Sequence, residues 1–248
     1  MFFVRGPVYI GTSGWHYKHW RDLFYPAKFP ADQMLTFYAQ RFDTVELNNS
    51  FYHLPLPTSF DKWRETTQRN FVFAVKGSRF TTHMKKLKDP ESSTDKFFHV
   101  VERLEQKLGP VLFQLPPRWK LNLERLTEFL QALPREHRYA FEFRDESWLV
   151  KEVFEILRQH NGAFCIHDLA TMKTPLELTT DFTYIRFHGP GEAKYRGSYS
   201  RPQLKEWAKR INRWRRELKG IYVYFNNDIG GHAVTNALTL RELVDVSA

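Results

Sequence analysis

GIYVYFNND, Gly220–Asp228, passes abruptly from an apolar, aromatic run to two amides and a carboxylate. The run is too short for a helix and rich in residues that favour strands. Its polar close has two readings, a turn that stops the strand or one wall of an active site. IGGHAVTNA, Ile229–Ala237, follows and opens a helix behind two glycines. The rest of the chain decides between these readings.

Working outward, the same strand pattern recurs in VYIGT from Val8, TVELN from Thr44, FVFAV from Phe71, VLFQL from Val111, YAFEF from Tyr139, AFCIH from Ala163 and YIRFH from Tyr184. Between most of these runs lie segments with helical spacing. They include DQMLTFYAQRF from Asp32, STDKFFHVVERLEQKL from Ser93, NLERLTEFLQAL from Asn122, VKEVFEILRQH from Val150 and RPQLKEWAKRINRWRREL from Arg201. Strands alternating with helices in this number predict an α/β fold, a (β/α)8 TIM barrel spanning residues 1–248 as one domain. The sixth helix is weak, because DLATMKTPLELTTDF (Asp168–Phe182) carries Pro175 and four threonines. A longer insertion follows the third strand and contains KKLK, Lys85–Lys88. A doubly wound sheet is the competing architecture, but no glycine-rich GxGxxG turn follows the first strand.

The 248 residues suffice for a sizeable core, with 42% hydrophobic and 16% aromatic residues. Neither a signal-peptide core nor a membrane-length apolar span is present, so a cytoplasmic protein without membrane contact is expected. The single cysteine, Cys165, excludes an intrachain disulfide and a multi-cysteine metal site. Thirty-seven Lys and Arg against 28 Asp and Glu give a net charge of +9. That balance favours an anionic small molecule or nucleic acid as partner.

Function in a barrel collects at the C-terminal ends of the strands, and alternate strand residues face its interior. Placing Val45, Leu47, Phe141, Phe143, Ile185, Phe187 and Phe225 against the helices turns the intervening residues inward. Those are Ser13, Glu46, Asn48, Lys76, Gln114, Glu142, Arg144, His167, Arg186, His188 and Asn226. Each strand thus delivers a polar or ionisable group at or just past its end.

Several strand ends sit within longer phrases: GTSGWHYKHW (Gly11–Trp20), VELNNSFY (Val45–Tyr52), FVFAVKGSRFTTH (Phe71–His83), GPVLFQLPP (Gly109–Pro117), FEFRDESW (Phe141–Trp148), YIRFHG (Tyr184–Gly189) and VYFNNDIGGHAVTNA (Val223–Ala237). In this order they resemble the YecE-like family, domain of unknown function 72, over nearly the whole chain. The resemblance implies a TIM-barrel fold and supplies no reaction. It departs at Asp145, where the pattern leads one to expect a histidine.

Glu46 and Glu142 are the candidate carboxylates for acid/base work, with His167 and His188 for proton transfer. Lys76, Arg144 and Arg186 would stabilise charge, Asn48, Gln114, Asn226 and Asn227 would orient a ligand, and Gly230 and Gly231 would allow an anion close backbone approach. Arg186, Lys194, Tyr195 and Arg196 add charge or donors near the loop after the seventh strand. Together these predict an anion pocket, with phosphoester hydrolysis the leading reaction. A buried ion-pair network is the structural alternative for the same charges. A divalent metal held by His167, Asp168, His188, Asp228 and His232 has weak support, since no HxH or HExxH spacing occurs. Lys76 as a Schiff-base nucleophile is weaker still. A non-catalytic nucleic-acid binder is the alternative from another class. It would use the basic faces of the Pro202–Leu218 helix, which carry Lys205, Lys209, Arg213 and Arg216.

Overall fold

The computed structural model describes residues 5–169, 172–191 and 195–246. Its strands are β1 (Val8–Thr12), β2 (Thr44–Leu47), β3 (Val72–Lys76), β4 (Leu108–Gln114), β5 (Tyr139–Glu142), β6 (Gly162–Leu169), β7 (Met172–Lys173), β8 (Phe182–Phe187) and β9 (Gly220–Phe225). The order is β1-β9-β8-β6-β5-β4-β3-β2, with β7 pairing β6 off this path. From β2 to β9, leaving β7 aside, sequence neighbours are sheet neighbours, with β9 next to β1, and helices α1 (Met34–Ala39), α2 (Asn49–Tyr52), α3 (Pro57–Thr66), α4 (Pro90–Val101), α5 (Leu123–Ala132), α6 (Lys151–Gln159), α7 (Arg201–Trp214) and α8 (His232–Val246) lie between or after the strands everywhere but between β6 and β8. The fold is a (β/α)8 TIM barrel.

By internal packing the chain falls into two compact units, Met1–Val45, Ile166–Thr174 and Asp181–Ala248 in one, Glu46–Cys165 and Pro175–Thr180 in the other. In the first, β1 pairs in parallel with β9, and β9 with β8, setting Thr12 opposite Phe225 and Phe225 opposite Phe187. The Phe187 ring meets Trp207 of α7 at 5.0 Å, so these residues face a helix as predicted. On the other face Tyr224 lies 5.2 Å from Tyr184, and its hydroxyl meets Thr44 Oγ1 at 2.7 Å. A Cβ on Gly11 would stand 2.3 Å from the Thr44 carbonyl, so the start of β2 lies close against β1.

In the second unit β3, β4, β5 and the start of β6 form successive parallel pairs. Phe113 of β4 and Phe141 of β5 both pack on Phe129 of α5, at 4.9 and 6.3 Å. The period-two reading therefore holds where ring contacts test it. α5 starts where Asn122 accepts the Arg125 N–H at 2.8 Å, a side-chain cap for an otherwise unpaired donor.

Two segments differ from expectation. In place of a short sixth helix, β7 turns back antiparallel to β6, pairing Asp168 with Lys173 and Leu169 with Met172. Thr174 favours this path, its hydroxyl donating to the His167 carbonyl and accepting from the His167 N–H, both at 2.9 Å. After β3 the chain forms a π-helical turn, Phe80–Met84, before α4 begins. Such turns recur at functional sites.

Candidate functional site

In the unit containing β3–β5, the strand ends hold buried charge. Glu142 closes β5 with no exposed surface, and Arg144 Nε meets its Oε1 across a short ion pair. Cys165 Sγ lies 3.9 Å from Oε2, so this cysteine is a weak donor to the same carboxylate. The β4–β5 register sets the half-buried Gln114 opposite Glu142. Glu46, on β2, is fully buried as well. Lys76 ends β3 almost wholly buried, its ammonium 4.1 Å from the Phe51 ring centroid. The Ser50 hydroxyl donates to the Lys76 carbonyl at 2.7 Å, tying α2 to that strand end. Asn48 is half-buried just before α2, and its Oδ1 is buried without a donor.

Sequence reasoning missed the next member, His83, on the π-helical turn. Its ring stands edge-on to Phe51 at 5.1 Å, the aromatic ring that Lys76 also touches. Burial first, then the positive charges of Lys76, Arg79 and Arg144, push its pKa down to about 4. A group flanked by like charges resists adding its own. The strand-end rule cannot find His83, because it lies seven positions past Lys76 and a π turn brings it back. Asp145, at the departure from the family pattern, instead caps a short turn and accepts from the Ser147 N–H and hydroxyl at 3.1 and 2.7 Å.

In the other unit, His167, Arg186 and His188 are all buried at the ends of β6 and β8. The two histidine rings lie 5.9 Å apart, edge to face. Asn226 Nδ2 is 3.2 Å from His188 Nδ1, so the first amide of FNND reaches the neighbouring strand end. Beside them Asp168 accepts the His188 N–H at 3.1 Å and the Tyr199 hydroxyl at 2.5 Å. Burial nevertheless pushes Asp168 up to about 7, against the lowering effect of those bonds. Tyr199 is raised too, by burial and by Asp168. Neither partnership shows in the sequence spacing.

Asn227 and Asp228 shape the turn after β9. Asn227 is fully buried, its Nδ2 donating to the Gly197 carbonyl and to Asn236 Oδ1, both at 2.9 Å. Asn236, on α8, also accepts the Tyr199 N–H at 3.0 Å and donates to the Tyr199 carbonyl at 3.2 Å. Asn227 is thus a clamp on the loop after β8, which answers one half of the opening question. Replacing it with alanine should cost about 1–3 kcal/mol in chemical denaturation, because the buried acceptors lose a donor. Asp228 accepts Trp20 Nε1 at 2.6 Å and faces His19 Nε2 at 2.8 Å, and burial raises its pKa. Its carbonyl accepts the Gly231 N–H at 2.7 Å. Gly230 and Gly231 take φ of +87° and +73°, and a Cβ on Gly231 would lie 2.2 Å from Leu23 Cδ2. Here the glycines serve a crowded turn. Lys194 lies outside the described residues, whereas Tyr195 stacks edge-on to His188 at 5.6 Å.

Among the described residues, Glu102, Glu136 and His137 bring metal-ligating atoms within 4.8 Å of one another. This largely exposed group includes none of His167, Asp168, His188, Asp228 and His232.

A family model described as "Protein of unknown function DUF72" matches residues 9–248. The chain belongs to the DUF72 family. Its YecE-like relatives include the UPF0759 protein YunF of Bacillus subtilis, 28% identical over 96% of this chain and 95% of that protein. The UPF0759 protein YecE of Escherichia coli K12 is 30% identical over 58% of this chain and 51% of its own. A solved DUF72 protein from Thermotoga maritima superposes with a TM-score of 0.85 at 34% identity, covering 96% of this chain and 99% of that one. At 10% identity, a D-psicose 3-epimerase structure matches with a TM-score of 0.51, over 89% of this chain and 93% of its own, and shares the fold alone. No helix among the described residues is long and apolar enough to cross a membrane.

Proposed function

We propose that this DUF72 protein is an enzyme acting on an anionic, phosphate- or carboxylate-bearing substrate, with phosphoester hydrolysis the leading reaction. One observation carries this reading. Lys76, almost wholly buried at the end of β3, shares the Phe51 ring with the half-buried His83, and Arg144, just past the end of β5, pairs with the buried Glu142. Cations held at strand ends in low dielectric are preorganised to stabilise an oxyanion. The reading gives Lys76 and Arg144 charge stabilisation, Glu142 and Glu46 acid/base work, and Asn48 and Gln114 a share in orientation. His167, His188, Arg186 and Asn226 form a second polar group, suited to proton transfer, at strand ends of the other unit.

The variant that tests this cleanly is Arg79→Gln, because Arg79 is exposed and its loss spares the core. Across phosphomonoesters and phosphodiesters assayed with added divalent cations, kcat/KM should fall about 10- to 100-fold. Turnover indifferent to Arg79→Gln and to Lys76→Met, or no turnover with any of these substrates, would sink the reading.

Nucleic-acid binding is favoured by one feature of α7. Leu204, Ala208, Ile211 and Trp214 are buried while Lys205, Lys209 and Arg213 are exposed, as is Arg216 just beyond. A binder of this kind should weaken with Arg213→Glu and Arg216→Glu, and its affinity should fall steeply with salt.

A further inference from the structure

The β7 hairpin leaves one face of α7 without a helical neighbour. Among the described residues no helix stands between β6 and β8, where a regular barrel carries one. Glu206, Trp207 and Arg210 recur at three- and four-residue spacing, so they share one stripe of α7. That stripe helps to wall a cavity of about 290 Å³, to which the β6–β7 hairpin contributes Asp168, Leu169 and Lys173. All of these residues belong to the unit of β1, β8 and β9, and none has a role in the reaction proposed above.

The cavity is lined by charges of both signs that the fold leaves unjoined. Alternation along β6 sends Asp168 to the opposite face from His167, toward the helices. Its carboxylate accepts the His188 N–H and the Tyr199 hydroxyl, one on each oxygen, and has acceptor capacity to spare. Lys173 is its cross-strand partner on β7, so the two side chains stand on the same face of the hairpin. Arg210 is half-buried, its guanidinium 5.2 Å from the Trp207 ring centroid. Of the charged residues lining the cavity, Glu206 alone has an ion-pair partner among the described residues, Lys209 at 2.7 Å. Asp168, Lys173 and Arg210 have none. Leu169 and Trp207 supply apolar surface between these charges.

We propose that this cavity binds a small zwitterion of the amino-acid class, with its ammonium on Asp168, its carboxylate on Arg210 and Lys173, and its side chain against Leu169 and Trp207. A free cation would meet the two unpaired bases and a free anion the unpaired carboxylate. A molecule carrying both charges satisfies all three. The volume lies at the small end of ligand cavities, which suits a single amino acid. A guanidinium also grips a carboxylate with two parallel hydrogen bonds, so Arg210 favours a carboxylate as the anionic group.

L-leucine and L-phenylalanine are the probes, titrated by calorimetry up to millimolar concentration at about pH 8, where Asp168 is ionised. One or both should bind with one-to-one stoichiometry. Leucinamide, which lacks the carboxylate, and 4-methylpentanoate, which lacks the ammonium, should each bind about 10-fold or more weakly than leucine. Asp168→Asn and Arg210→Gln should each weaken amino-acid binding by about 10-fold or more, whereas Lys209→Gln, outside the cavity, should change it by less than about twofold. Binding of either amino acid that neither cavity variant weakens would place it elsewhere and overturn the assignment. Leucinamide or 4-methylpentanoate binding as tightly as leucine would overturn the zwitterion, and failure of both amino acids to bind would overturn the proposal outright.

Discussion

Arg144→Met is expected to lower the unfolding free energy by about 3–5 kcal/mol, read as a lower urea midpoint with an unchanged slope. Glu142 has no exposed surface, and the Arg144 side chain is only 7% exposed. Removing the guanidinium leaves a desolvated carboxylate without the cation that meets its Oε1. The Cys165 thiol at 3.9 Å is a weak donor to the same carboxylate. A carboxylate in that position escapes its cost by taking a proton, which raises its pKa in the folded variant. The variant should therefore recover stability as pH falls and lose it as pH rises through that raised value. Arg144→Met with Glu142→Gln should regain most of the loss, because the double variant no longer buries the Glu142 carboxylate without its guanidinium. A single variant as stable as wild type would mean that the Arg144 guanidinium is not what stabilises the buried Glu142 carboxylate.

This ion pair also marks how far the sequence could be read. Glu142 and Arg144 were legible because strand periodicity is local: alternate residues share a face, and the aromatic ones plainly belonged to the helix side. Phe113 and Phe141 on Phe129, and Phe187 on Trp207, confirm that assignment. Residues past the strand ends were not legible in the same way. His83 depends on a π-helical turn, and no periodic pattern announces one. Asn227 was readable as turn chemistry, yet its partners Gly197 and Asn236 come from another loop and another helix. The β7 hairpin hid behind Pro175 and the threonines, which argued against a helix without indicating a strand.

Asp168 carries the largest expected pH effect. Its folded pKa of about 7 stands above the ordinary 3.8, and burial is the main cause. For a raised pKa the contribution to stability is complete below the unfolded value and is lost as pH rises through the folded one. Stability should therefore fall between about pH 4 and about pH 7, with about 4 kcal/mol as the upper bound for this single group. Asp168→Asn should flatten that slope and make the variant more stable than wild type near pH 8. The amide keeps an acceptor for the His188 N–H, whereas the Tyr199 hydroxyl must turn, since it already accepts the Gly189 N–H at 2.9 Å. Rearrangement there offsets part of the gain at high pH and sets the variant slightly below wild type near pH 4. Thermal denaturation of both proteins from pH 4 to pH 8 reads the crossing. Parallel curves would show that the Tyr199 and His188 donors already hold Asp168 ionised throughout, so that its buried charge is one the fold accommodates at neutral pH.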